Sequence, residues 1–130
     1  MHLHAGVRIS LSALMKAFVN SGVYSVVKCR AMPSFDKSVF AVITDSKEIT
    51  AVVTEDSETE GEKEHGFRII TFDTVLPFGL IGLLAGVSKA FAESEIPILI
   101  LSSYSTDHIL VKEKHMEKAV ECLRKNGIEI

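Results

Sequence analysis

Residues 98–123 read ILILSSYSTDHILVKEKHMEKAVECL, and their pattern decides the fold. ILIL is an apolar run of strand length. Ser103 to Asp107 is a cluster of polar residues suited to a tight turn. HILVKE (108–113) then resumes apolar character as a return strand. From Lys114 to Asn126 the period changes: Met116, Ala119, Val120 and Leu123 fall at i, i+3, i+4 and i+7, the stripe of an amphipathic helix. Gly127 suits the C-terminal cap of that helix, and GIEI closes the chain as a short strand.

Upstream, FRIITF (67–72) is rich in β-branched and aromatic residues and predicts a strand. Pro77 fits the first turn of a helix, where its missing N–H costs nothing. That helix runs to about Glu95, and Pro97 stops it. The order is β-α-β-β-α-β, the ferredoxin-like arrangement of an antiparallel sheet with two helices on one face. The first half looks like a looser copy. HLHAGVRIS is a strand candidate and LSALMKAFVN a helix with Leu11, Leu14, Met15 and Phe18 on one face. VYSVVKC returns to strand, and VFAVIT and EITAVVTE flank Asp45-Ser46-Lys47, a compact hairpin signal. No second helix is evident there, so the fold class is α+β with two such units, the first less complete.

Residues 55–64, EDSETEGEKE, hold six acids and one lysine, and this net −5 leaves the rest of the chain at +2. The block lacks apolar periodicity and reads as a solvated linker or a frayed helix dividing the chain. The expected division is therefore an N-terminal unit 1–56, an acidic linker 57–65 and a C-terminal unit 66–130.

Composition narrows the function. With 130 residues, 47% hydrophobic and 24% charged, the chain is an ordinary globular one. A net charge of −3 and the lack of a basic stripe argue against nucleic acid. The start alternates and carries His2, His4 and Arg8, unlike a secretory leader. The apolar run from Thr74 to Ser88 is shorter than the roughly 18–20 residues of a membrane span. A cytoplasmic protein without membrane contact is expected. Cys29 and Cys122 belong to no metal or redox pair. The five histidines are scattered, and His2 and His4, on one side of a strand, make a poor metal site without a third ligand. No nucleophile elbow, phosphate loop or H-E-x-x-H motif is present. No catalytic residue, metal or cofactor is expected.

The quoted stretch resembles the signature region of ACT domains, in the small tandem branch that includes the arginine sensors of the TOR kinase pathway. It is similar also to aspartate kinase regulatory domains. Ser102-Ser103-Tyr104-Ser105-Thr106-Asp107 matches the branch's turn, with Ser103 where threonine is usual. Leu83-Leu84-Ala85-Gly86-Val87-Ser88 followed by Phe91-Ala92-Glu93 looks like the family's first helix. The likeness is good from about Gly66 to Ile130, fair over Phe40 to Glu55 and weak over Met1 to Asp36. It implies a regulatory, non-catalytic module that binds a small molecule, often an amino acid, at a seam between two ACT units. Carried over by position, the ligand-binding residues are Phe78, Gly79, Leu80 and Gly82 in the loop and helix start, Ile98 and Leu99 on the strand, and Thr106 and Asp107 in the turn. Pro97 departs from the small polar residue of many relatives and removes a backbone donor.

Physical chemistry supplies a rationale for part of this set. Gly79, Gly82 and Gly86 share one helix face, although each glycine costs about 1 kcal/mol against alanine. A face without side chains admits a ligand or another backbone. The helix start favours a carboxylate, and Asp107 could take an ammonium. Two blander readings stand beside these. The glycines serve close packing alone, and Asp107 only shapes its turn. A homodimer with helices or exposed sheet edges paired across a two-fold axis is the expected assembly. The competing function is a protein-interaction module that keeps the fold and binds no small molecule.

Overall fold

In a computed structural model, residues 15–73 and 83–130 are described. Their elements are β1 (Ala17–Val19), β2 (Tyr24–Cys29), β3 (Val39–Thr44), β4 (Ile49–Thr54), β5 (Gly61–Phe72), α1 (Leu83–Glu93), β6 (Ile98–Ser102), β7 (Asp107–Lys112), a 3-10 turn (Glu113–His115) and α2 (Met116–Lys125). The chain is α+β and divides into two compact units, one of Met1–Asn20 with Ile69–Ile130, the other of Ser21–Arg68.

The discontinuous unit holds the pattern expected for the second half. Its strands lie in the order β1-β5-β7-β6, β1 antiparallel to the end of β5 with Ala17 opposite Phe72. Both helices cover one face. Phe91 and Val87 of α1 and Met116, Ala119 and Leu123 of α2 bury against Ile70, Phe72, Ile109 and Val111. Two helix ends close in the same way. Ile96 N–H donates to Phe91 O and Glu95 N–H to Ala92 O; Ile128 N–H donates to Leu123 O and Gly127 N–H to Arg124 O. This is the Schellman pattern, with Gly127 at φ 83° and, less comfortably, Glu95 at φ 57°.

One expectation is corrected here. The helix predicted over 11–20 is strand β1 from Ala17, with Leu11 to Leu14 outside the described residues, as is HLHAGVRIS. Met15 and Ala17 point inward and Lys16 and Phe18 outward, the period of a strand. The run LMKAFV satisfies either period, and pairing with β5 settles it. β1 lies beside β5, and GIEI is reduced to a parallel bridge between Glu129 and Lys16.

The continuous unit is all strand among its described residues, in the order β3-β4-β2-β5. The β3–β4 hairpin forms as predicted, its loop fastened by Asp45 Oδ1, which accepts from Lys47 N–H at 2.8 Å and Glu48 N–H at 2.9 Å. The acidic block differs from its linker reading. β5 begins at Gly61, so Glu62, Lys63 and Glu64 belong to a strand paired with β2, with Glu62 opposite Lys28. Main-chain pairing and cross-strand charge hold a segment that has no apolar alternation to announce it. Gly61 is required there: a Cβ would lie 2.0 Å from Lys28 O.

Candidate functional site

β7 starts where β5 ends, so their junction gathers chemistry from three strands. Asp107 opens β7, opposite Ser102 of β6, and the Ser102 hydroxyl donates to its carboxylate. The turn between them is closed by Ser103 N–H donating to Thr106 O at 2.8 Å, and Tyr104 stands exposed at its tip. One residue on, His108 Nδ1 lies 2.9 Å from Thr71 Oγ1 of β5. Asn20, just past β1, donates through Nδ2 to Thr71 Oγ1 at 2.7 Å and to Ile69 O at 3.0 Å.

Thr71 Oγ1 accepts from Asn20 Nδ2, and a hydroxyl with two lone pairs and one proton has capacity left to bond His108 Nδ1 as well. Burial holds the His108 pKa below its ordinary 6.5, against the neighbouring Asp107 charge, which raises it. β5 ends at Phe72, and Asp73 N–H donates to Lys16 O at 2.7 Å; the chain then passes into residues 74–82.

Of the eight residues named from sequence, Phe78, Gly79, Leu80 and Gly82 lie outside the described residues. Thr106 and Asp107 sit at the β5–β7 junction. Ile98 and Leu99 occupy the other end of the β6–β7 hairpin, where Ile98 faces Val111 while Ser102 faces Asp107. Four residues of strand, roughly 13 Å, separate the two pairs. Within one unit they do not form one site. Gly86 is exposed and a Cβ on it would meet nothing within 4 Å, so at this glycine close packing is not the constraint. The polar chain Asn20–Thr71–His108 escaped the sequence reading, because three residues 37 to 51 positions apart give no local signal.

The other unit holds a second polar cluster. Glu55 Oε1 accepts from the Ser25 hydroxyl and from Gly66 N–H at 3.2 Å, and His65 Nδ1 lies 3.3 Å away. The Ser25 hydroxyl, first, and then Gly66 N–H and His65 hold the Glu55 carboxyl below its usual range, against desolvation. A serine, a histidine and a carboxylate here do not make a nucleophile. Ser25 is 1% exposed, and its proton goes to the carboxylate. The cluster fastens a β-bulge in β5, where Tyr24 pairs Phe67 but Val26 pairs Glu64 and Gly66 takes φ 81°. Among the described residues no group of three His, Cys, Asp or Glu converges to hold a metal ion, and no described helix is long and apolar enough to cross a membrane.

No curated protein matches the chain in sequence. In structure it is similar to a protein from Agrobacterium tumefaciens, with a TM-score of 0.78 at 20% identity over 88% of this chain and 90% of that one. It is similar to a Vibrio cholerae protein of unknown function described as a possible transport protein, at 0.73 and 22%, over 91% and 96%. The regulatory subunit of aspartate kinase from Thermus thermophilus gives 0.62 and 12%, over 85% and 96%. At such identities these likenesses show the fold. A family model described as ACT domain matches residues 62–125, the stretch from β5 through α2. That segment, just under half of the chain, is what matches the ACT-domain family.

Proposed function

We propose that this protein is a cytoplasmic regulatory protein that binds an amino acid and has no catalytic activity of its own. The observation that carries the reading is Asp107. Its carboxylate is oriented by the Ser102 hydroxyl at the end of the sheet where β5 stops and β7 starts. An amino acid needs an anion for its ammonium and donors for its carboxylate. Asp107 supplies the first; Phe78, Gly79, Leu80 and Gly82 are the residues assigned to the second, and Thr106 completes the set.

Ile98 and Leu99 join this site from a second copy. Among the described residues β6 is an edge strand, it carries no charged residue, and Leu99 and Ile100 are 45% and 37% exposed. Antiparallel pairing of two such edges about Ile100 sets Ile98 of one copy against Ser102 of the other, one strand from Asp107. A homodimer with its ligand at the seam between ACT units accommodates the whole residue set. A protein-interaction module is the second reading, favoured by Met32 and Phe35, exposed in the loop between β2 and β3.

Thermal unfolding of the purified protein against each of the twenty amino acids decides between them. A ligand at a hundredfold its Kd stabilises the folded state by about 2.7 kcal/mol, a shift of several degrees. A shift confined to one or two amino acids and lost in Asp107→Ala is expected. A shift that survives Asp107→Ala refutes the site, and a flat response across the panel refutes the sensor reading.

A further inference from the structure

The Asn20–Thr71–His108 chain joins two places with different tasks. At one end is the turn that carries Asp107. At the other is the junction where the polypeptide leaves this unit after Asn20 and returns at Ile69. Asn20 fastens that junction twice, its backbone N–H donating to Ile69 O at 2.8 Å and its Nδ2 to the same carbonyl at 3.0 Å. Thr71 stands between the two ends and is 6% exposed.

We propose that these three residues couple the conformation of the Asp107 turn to the junction. The element with two states is the Thr71 hydroxyl. Its Oγ1 accepts from Asn20 Nδ2 at 2.7 Å and lies 2.9 Å from His108 Nδ1. If the imidazole is withdrawn, the buried hydroxyl loses a partner, and a side-chain rotation that seeks a replacement carries Oγ1 away from Asn20 Nδ2. Loosening either end therefore loosens the other, the reciprocity that any coupling must show, strengthened by the low polarity of the site. Asn20 and Thr71 are positioning residues in this arrangement. The coupling stands without the ligand reading; where that reading holds, occupancy of Asp107 reaches the junction by this route.

Amide hydrogen exchange of the full chain, followed residue by residue, tests it. The reporter is the Asn20 N–H, and the control is the Glu55 N–H, bonded to Val23 O in the other unit. His108→Ala is expected to speed exchange at Asn20 about tenfold, the factor that one lost hydrogen bond of ordinary strength represents, and to leave Glu55 unchanged. His108→Asn, which offers an oxygen near the place of Nδ1, should restore most of the protection. In a Thr71→Val background, His108→Ala should add nothing further. An unchanged Asn20 amide, an equal acceleration at Glu55, or the full effect without the Thr71 hydroxyl would each overturn the proposal. Should His108→Ala fail to fold, His108→Phe keeps a ring, removes Nδ1 and reads the same amide.

Discussion

Replacing Thr71 by valine isolates the energetics of this polar chain, because the side chain keeps its shape and loses only the hydroxyl. Two hydrogen bonds go, one from Asn20 Nδ2 at 2.7 Å and one with His108 Nδ1 at 2.9 Å. Each contributes about 1 kcal/mol net. Thr71 is buried, so the new methyl recovers up to about 0.8 kcal/mol of apolar transfer. Asn20 keeps Ile69 O as a partner, which limits the penalty of a stranded donor. The balance is a loss of about 1–2 kcal/mol. Urea unfolding measures it. With a slope of about 2 kcal/mol per molar, the midpoint should fall by about 0.5–1 M at unchanged slope. Histidine ring nitrogen chemical shifts give a second readout, since His108 Nδ1 loses its hydrogen-bond partner Thr71 Oγ1. A midpoint that stays in place or rises, with those chemical shifts unchanged, would refute the hydrogen-bond assignment.

Glu95→Gly should stabilise the protein by about 1 kcal/mol in the same assay, since a left-handed residue at a helix end favours glycine; a loss would mean that the Glu95 side chain contributes more than its backbone strain costs. Gly86→Ala should raise the unfolding temperature by the equivalent of up to about 1 kcal/mol, because open space surrounds the position. If it also abolishes the amino-acid-induced shift, a ligand or a second chain uses that bare face. Stability should fall as pH drops from about 6.5 through the lower folded pKa of His108. The unfolded state binds its proton first in that window. His108→Asn should flatten this segment of the pH–stability profile, and a slope that persists there would assign it to another group.

The second half of the chain was legible because each element is written in one period. The Met116–Leu123 stripe is a helix and nothing else, and ILIL with HILVKE has only one compact way to pair. Two other segments carried conflicting or silent signals. Met15 to Val19 suits helix and strand alike, so the outcome rests on β5, fifty residues away. Glu62 to Glu64 carry no apolar side chain, so their strand is fixed by backbone pairing with β2, which composition does not encode. The turn ending in Asp107 was recognisable as a motif. Its partnership with Thr71 and Asn20 was not, because side-chain bonds across strands depend on register.

Register also explains why a polar chain is kept where apolar packing would serve stability as well. β1 is only three residues long, Ala17–Val19, and main-chain pairing alone defines its position weakly. A slip of one residue would turn Phe18 into the core and Ala17 out of it, while a slip of two would preserve the inward pattern and cost the ladder little. Against the two-residue slip, apolar contacts offer little discrimination. Asn20 supplies it, because its amide meets Ile69 O and Thr71 Oγ1 together in one register alone. Buried polar groups that must all be satisfied penalise every alternative that leaves one without a partner. On this reasoning Asn20→Leu would not simply weaken β1. It would let β1 occupy more than one register, visible as doubled amide resonances for residues 17–19, while Asn20→Ser, still able to bond, would keep a single set.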